Sequence, residues 1–189
     1  MKIILASASP RRHELMGQLA VPFTTLDADI DESLLPGESP GVYAERLARG
    51  KATEGWRMAG RATPALGADT IVVLKDEILL KPGSREEAER MLRKLSGCRH
   101  EVISAVAVAL DDQHVSSLVN RTQVTFAPIP DDWIVEYCKG DEPMDKAGAY
   151  AVQGLTARWI SHIDGSFSGV MGLPLFETAT VLHQAGLLD

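Results

Sequence analysis

Positive charge is in deficit in this chain of 189 residues, where 19 Lys and Arg face 26 Asp and Glu for a net charge of −7. Nucleic-acid coats and anionic membrane surfaces both select for a positive excess, so neither partner is expected. A polyanionic ligand would need positive charge concentrated locally. Long apolar runs are missing too. The longest, Val102 to Leu110, is interrupted by Ser104 and falls short of the roughly 18 residues of a membrane span. The stretch Ile3-Ile4-Leu5-Ala6 after Lys2 is too short for a secretory signal and runs into Pro10-Arg11-Arg12, so a cytoplasmic protein is expected. Two cysteines, Cys98 and Cys138, are too few and too far apart for a disulfide framework or a metal knuckle, and both read as reduced and structural. Neither GxxxxGK[ST] nor GxGxxG occurs, which excludes the P-loop and the dinucleotide fingerprint. There is no repeat, low-complexity tract or long linker. At about 150 residues per domain, 1–189 reads as a single domain with a cleft between two lobes. What is present, 45% hydrophobic and 24% charged residues, is the balance of a globular protein with a full core.

Strand and helix patterns alternate. Lys2 to Ala6 reads as a buried strand, followed by Leu15, Met16 and Leu19 at helical spacing up to Pro22. Phe23 to Leu26 is a second strand, entering an acidic loop, Asp27 to Glu32, that ends at Pro36-Gly37. Ser39-Pro40 opens a helix towards Trp56. Leu66 to Leu74 is a strand that turns at Lys75-Asp76 into Ile78-Leu79-Leu80. Ser84-Arg85-Glu86-Glu87 is a capping box for a helix that stops at Gly97. Glu101 to Leu110 and Val115 to Phe126 read as an antiparallel pair. Asp131 or Asp132 caps a short helix ending at Gly140, Gly148 to Gln153 and Arg158 to Ile163 read as strands, and Pro174 begins a last helix. The order specifies an α/β domain with a mixed sheet flanked by helices.

Three places break local rules. Ser9 as N-cap and Pro10 at the first helical position fix a helix start, yet Arg11 and Arg12 follow. A helix amino terminus carries about half a positive charge, and each cation there forgoes about 0.3–1 kcal/mol. Two arginines therefore imply an external anion, for which the helix start, the Ser7 and Ser9 hydroxyls and two guanidinium forks suit a phosphate chain. The alternative is an ordinary helix with solvated arginines. Asp69 interrupts the apolar run Gly67 to Val73, where a buried carboxylate needs a metal, a cation or a proton to transfer. Folding back about Lys75-Asp76 brings Lys81 opposite Thr70 to within a residue or so, near Asp69; a structural ion pair is the competing explanation. Lys51, on the face of Leu47 and Ala48, points inward at its base, with snorkelling to solvent as the alternative. Glu32 offers a second carboxylate for a divalent cation, unless its loop is simply solvated. His100 has no nearby nucleophile to activate and reads as a packing residue.

Ser7-Ala8-Ser9-Pro10-Arg11-Arg12, Gly67-Ala68-Asp69-Thr70, Lys81-Pro82, Leu95-Ser96-Gly97 with His100, Asp145-Lys146-Ala147-Gly148-Ala149-Tyr150, Gln153-Gly154 and Gly172-Leu173-Pro174-Leu175 follow the order seen in the Maf (septum formation) family, which the chain resembles over nearly its whole length. The resemblance implies an ITPase-like fold, an elongated mixed sheet with a cleft between two lobes. It also implies a nucleoside triphosphate pyrophosphatase that uses a divalent metal, Mg²⁺ or Mn²⁺, to release a monophosphate and pyrophosphate, and a homodimer. The run Asp145 to Gly154 is similar to the dTTP/UTP branch; the branch acting on 7-methyl-GTP has Glu where Gln153 stands. Arg11, Thr70 and Gln153 match the specificity positions, Asp69 the proton acceptor, and Glu32, Lys51 and Lys81 polar cleft residues. Uracil and thymine present an N–H flanked by carbonyls, which an amide meets with one acceptor and one donor, while a carboxylate only accepts. Two departures are Leu80, where glycine is frequent, and Ser104, where threonine is common. A non-catalytic nucleotide-binding regulator of cell division is the rival of another class, disfavoured by Asp69, Lys51 and Lys81 together.

Overall fold

Four consecutive apolar residues, Ile3–Ala6, form strand β1 and are all buried, as expected where both faces of a strand are covered. In the computed structural model, which describes residues 2–189, these open the first of two compact units, made of the chain up to Thr70 with Ser104–Asn120 and Gly172–Asp189. Helix α1, Pro10–Gly17, crosses from β1 to β2, Phe23–Leu26, and the two strands pair in parallel with Ile3 opposite Phe23. On its other side β1 pairs in parallel with β3, Ala65–Leu74, through Ile4–Ala65 and Leu5–Leu66. The acidic segment before α2 carries no regular structure. Helix α2, Pro40–Met58, then buries Tyr43, Leu47, Lys51 and Trp56 at helical spacing.

Ser9 and Ser39 both hold the extended backbone of an N-cap, but neither hydroxyl caps its helix. Proline at the first helical position supplies no N–H, so part of the need for a cap is already gone.

The second unit comprises Ile71–Ile103 and Arg121–Met171. The end of β3 turns through Lys75, at φ 58°, into β4, Glu77–Leu79, antiparallel with Val72 opposite Leu79. Helix α3, Arg85–Leu95, is capped as expected: Ser84 Oγ accepts from Glu87 N–H at 3.2 Å. The Glu87 carboxylate reaches back one residue further, to Gly83 N–H at 2.7 Å. Its apolar face, Ala88, Met91, Leu92 and Leu95, joins Val72, Leu79, Val102, Phe126 and Ile134 in one core. Each large side chain buried there contributes about 1.5–3 kcal/mol. Strands β5, Arg99–Ala109, and β6, Val115–Phe126, run through both units and are neighbours, closed by Leu110 N–H on the His114 carbonyl at 3.0 Å. The sheet is mixed, in the order β2-β1-β3-β5-β6-β7 with β4 on β3, where β7 is Ile160–Asp164, antiparallel to β6.

Three local expectations fail. Gly148 to Gln153 is not a strand, because Gly148 and Ala149 take φ of 68° and 61° and wind a single 3-10 turn at Ala147–Ala149. The Cβ absent from Gly148 would lie 3.0–3.1 Å from the Val72 side chain, so position 148 is restricted twice over. Arg158 falls in a second 3-10 turn, Leu155–Trp159, and the strand starts at Ile160. Helix α4, Asp131–Tyr137, is entered from Pro130, with Asp131 and Asp132 in its first turn rather than capping it. Helix α5, Phe167–Met171, is too short for a helical period to show in the sequence; Ser166 Oγ accepts from Gly169 N–H at 2.9 Å at its start. The last helix, α6, spans Leu175–Gln184 after Pro174. No helix among the described residues is long and apolar enough to cross a membrane. Cys98 and Cys138 are free thiols, and burial pushes that of Cys138 up to about 11.

Candidate active site

Strand β3 and helix α2 meet at Gly67. A Cβ there would lie 2.4 Å from both the Ala48 carbonyl oxygen and the Ala52 backbone nitrogen, so only glycine lets the helix come so close. Asp69 stands two residues on, on the same face of the strand, and Lys51 is the helix residue opposite. Lys51 Nζ donates to Asp69 Oδ1 at 2.7 Å and lies 2.6 Å from Glu32 Oε1. The Lys51 and Asp69 side chains are 11% and 10% exposed, that of Glu32 49%. Lys51 thus does not snorkel: its head is held inside by two carboxylates. The loop that brings Glu32 there is itself fixed. Tyr43, buried on α2, donates its hydroxyl to the Glu32 carbonyl at 2.8 Å, and Arg46 on the same helix holds the Ser33 carbonyl at 2.9 Å and the Glu38 carboxylate at 2.7 Å.

The α1 start brings the opposite charge. Arg12 Nε donates to the Gly172 carbonyl at 2.9 Å, and Nη1 makes a longer contact of 3.4 Å with Ser7 Oγ. Burial holds the Arg12 guanidinium below its ordinary pKa, opposed by the Asp69 and Glu32 carboxylates and assisted by Arg11; arginine stays charged at any physiological pH. Ser7, itself buried, accepts from Ser9 N–H at 3.2 Å as well as from Arg12. Its own hydroxyl proton is then free to be donated. Arg11 is half-buried. Arg12 lies within electrostatic reach of Arg11, Asp69 and Glu32, and Lys51 pairs with both carboxylates, so cations gather at this point of an acidic protein, as binding a polyanion requires.

Thr70 follows Asp69 and turns the other way: its hydroxyl shares a 2.9 Å hydrogen bond with Ser104 and makes a 3.4 Å contact with the Gly172 carbonyl, the same oxygen that takes Arg12. The first unit thus assembles Ser7, Ser9, Arg11, Arg12, Glu32, Lys51, Asp69 and Thr70 on the β1–α1 junction, the loop before α2, α2 itself and β3. Lys81 and Gln153 belong to the second unit. The β3–β4 ladder ends at Val72–Leu79, two residues short of the expected Thr70–Lys81 pair; Lys81 lies beyond it, exposed, and the ammonium on Asp69 is that of Lys51. Gln153 is exposed, in a turn that closes with Gly154 N–H on the Ala151 carbonyl at 3.0 Å. Sequence reasoning gave no role to Tyr43, and it singled out Gly172 only as part of a family motif, with no role for its carbonyl. A buried tyrosine at helical spacing reads as core, and a carbonyl 160 residues from Arg12 in sequence leaves no trace in composition.

Glu32 and Asp69 form a hard oxygen pair of the kind Mg²⁺ and Mn²⁺ use, one or two carboxylates completed by substrate phosphate oxygens. No group of three or more His, Cys, Asp or Glu suited to a metal occurs among the described residues, so a cation bound here would take the rest of its oxygens from ligand and water. His100 is remote in kind from this chemistry: it is buried, its Nε2 lies 2.8 Å from the Tyr150 hydroxyl, and burial lowers its pKa to about 4. It packs against Phe126 and Tyr150, as expected of a core histidine.

Among known proteins, the family model described as Maf-like protein matches residues 2–185. A dTTP/UTP pyrophosphatase from Pseudoalteromonas atlantica is 50% identical over 188 residues, 98% of this chain and 97% of that protein. A dTTP/UTP pyrophosphatase from Escherichia coli strain K12 is 48% identical over 186 residues, 98% of this chain and 94% of that protein. Among solved structures, a nucleoside-triphosphatase described as a dITP/XTP pyrophosphatase, from Mycobacterium abscessus, aligns with a TM-score of 0.48 at 19% identity over 69% of this chain and 76% of that one. With that family model matched over residues 2–185 and relatives 48–50% identical over almost the full length, the chain belongs to the Maf-like protein family.

Proposed function

We propose that this chain is a nucleoside triphosphate pyrophosphatase that hydrolyses dTTP and UTP to the monophosphate and pyrophosphate. The observation that carries the proposal is Lys51 held between Asp69 and Glu32, in the same unit as the arginine-bearing start of α1. The names of relatives at 48–50% identity over almost full length support the same reading. Arg11 and Arg12, the Ser7 and Ser9 groups and the helix start would receive the phosphate chain. Arg12 is pre-aimed by Gly172, so little order has to be created on binding. A water oxygen bonds to the α-phosphorus as the bond from that phosphorus to the bridging oxygen breaks, and pyrophosphate leaves with the electron pair. Asp69 takes the proton of the water: its Oδ1 is held by Lys51, which leaves Oδ2 for the acceptor role. Lys51 and Lys81 oppose the charge that gathers on the departing pyrophosphate. A divalent cation, Mg²⁺ or Mn²⁺, would be held by Glu32, with Asp69 joining it in place of the proton-acceptor role, and would supply further neutralisation of the phosphate oxygens.

Gln153, with Thr70, would choose the base. An amide matches the N–H and carbonyl edge of uracil and thymine, and the presence of Gln rather than Glu at 153 favours these over 7-methyl-GTP. The proposal takes one domain from the chain length, a cytoplasmic setting from the short apolar stretches and a homodimer from the family resemblance, and a nucleoside triphosphate as partner in place of nucleic acid or membrane. Its test is pyrophosphate release from dTTP, UTP and 7-methyl-GTP with Mg²⁺ or Mn²⁺ and with chelator. Release from the pyrimidine substrates that stops with chelator is expected. Preference for 7-methyl-GTP would move the chain to the other branch, and no release from any of the three would overturn the proposal.

A further inference from the structure

The turn that presents Gln153 is held from behind by one carboxylate. Glu142 Oε1 accepts from Leu155 N–H at 3.2 Å and from the Tyr137 hydroxyl at 2.8 Å. Tyr137 is buried; burial first, and the hydrogen bond to Glu142 second, push its hydroxyl far above the ordinary phenol range, so it remains a donor. The same carboxylate lies flat against Gly154, where a Cβ would meet Oε1 at 2.2 Å, Cδ at 2.6 Å and Oε2 at 2.8 Å. Gly154 has φ −97° and ψ −159°, extended backbone that any residue adopts. Glycine at 154 therefore leaves open the space that the carboxylate occupies, and its conformation does not call for it. Glu142 is anchored at its own backbone by Lys146 Nζ, which donates to its carbonyl at 2.6 Å. On the other side of the turn Thr156 Oγ1 donates to the Ala151 carbonyl at 2.6 Å. Residues 151–156 are thus fixed at both ends, with Gln153 at the exposed crest and the Glu142 carboxylate taking the two positions immediately after it.

We propose that Glu142, braced by Tyr137, is the positioning residue for Gln153, and that Gly154 is the space through which it acts: selection of the base depends on this clamp as much as on the amide itself. The inference rests on the reading of Gln153 as the base-selecting residue and adds the groups that aim it. An amide that turns over meets cytosine as well as uracil, so Gln153 can discriminate between them only where the turn that carries it restricts how the amide is presented. Loosening the turn should therefore cost selectivity rather than chemistry.

The test compares kcat/KM for UTP with that for CTP in the intact protein and in Gln153→Ala, Glu142→Ala, Glu142→Gln and Gly154→Ala, with thermal melting of each. Glu142→Ala should lower the UTP-to-CTP ratio by about tenfold, through KM with kcat within about threefold, the pattern of lost binding selectivity rather than lost catalysis. Glu142→Gln keeps an oxygen acceptor for both donors and should restore the ratio. Gly154→Ala drives out the carboxylate without straining the backbone, so it should reproduce Glu142→Ala and stands in for it if that variant melts early. A ratio lost in Gln153→Ala but kept in Glu142→Ala and Gly154→Ala overturns the clamp and leaves base reading by Gln153 intact. A ratio unchanged in Gln153→Ala overturns that base reading, and the clamp with it.

Discussion

Lys51 on α2 reaches Asp69 on β3 at 2.7 Å across a helix–strand contact that admits no side chain at Gly67. The pair has two possible uses, one structural and one chemical, and substitutions separate them. Asp69→Asn keeps an oxygen for Lys51 and removes the basicity. Turnover should fall by about 10²–10⁴-fold, the scale of a lost general base, while triphosphate binding followed by calorimetry persists. Turnover near the parent rate would exclude Asp69 as the proton acceptor.

Lys51→Met leaves the Asp69 and Glu32 carboxylates without their common cation. Because Glu32 is half exposed, water screens part of the repulsion, and the loss should be about 1–3 kcal/mol rather than the full cost of a broken buried pair. Urea unfolding at neutral pH measures it. A Lys51→Met protein as stable as the parent would mean that Lys51 contributes packing alone, which the methionine stem also supplies.

Gly67→Ala tests how the site is built rather than what it contains. Its methyl group would meet two backbone atoms of α2 at 2.4 Å, which cannot swing aside as a flexible side chain can, so α2 must shift. Overpacking of this kind costs about 1–3 kcal/mol, and an ångström of displacement between Lys51 and Asp69 should lower turnover by a further factor of about 100. Gly17→Ala, where nothing lies within 4 Å, is the control and should be neutral in both assays. Equal loss of activity in the two variants would detach the Gly67 contact from function.

Much of this was legible in the sequence because the physics was local. Cations at a helix start, a carboxylate inside an apolar strand and a lysine on the inner face of α2 each violate a preference that operates over one or two turns. The capping box at Ser84 and the parallel crossing from β1 to β2 are equally local. What escaped depends on contacts distant in sequence or on backbone conformations that composition does not report. The apolar run Ala149-Tyr150-Ala151-Val152 reads as a strand by β-propensity, yet two left-handed residues turn it into the loop that carries Gln153. The expected ammonium at Asp69 came from the hairpin to Lys81, and register arithmetic ran past the point where the ladder stops; Lys51 fills that place through the tertiary contact at Gly67.

His100 gives the chain a predictable response to acid. Burial lowers its pKa from 6.5 to about 4, so between these values the unfolded chain binds a proton that the folded chain refuses. Stability therefore rises with pH across the window and is lost as the pH falls below about 6.5. At pH 5 the difference is about 2 kcal/mol for a group buried this completely. His100→Gln keeps a partner for the Tyr150 hydroxyl and removes the titration, so its stability curve between pH 7 and pH 5 should be flatter by that amount. Parallel curves would show that His100 is solvated enough to ionise in place.

Arg12 is the position where charge and shape make different demands. Its Nε is committed to the Gly172 carbonyl at 2.9 Å, and the planar fork then carries its remaining N–H groups past Ser7 towards the cradle at the start of α1. A lysine has the charge and several donors, but all on one nitrogen, so it lacks the spread planar fork that meets Gly172 with Nε and a phosphate with the outer N–H groups. Arg12→Lys should therefore weaken triphosphate binding by about tenfold, close to the loss in Arg12→Ala of about 1.5–3 kcal/mol for a charged hydrogen bond. Nucleoside monophosphate, with less charge to place, should be affected less in both variants. Full affinity in Arg12→Lys would reduce the residue to a point charge, and the contact with Gly172 would then serve the fold rather than the substrate. Because Thr70 also contacts that carbonyl at 3.4 Å, loss of the arginine fork should also loosen Thr70, and the Arg12 variants should lose part of the preference for UTP over CTP along with affinity.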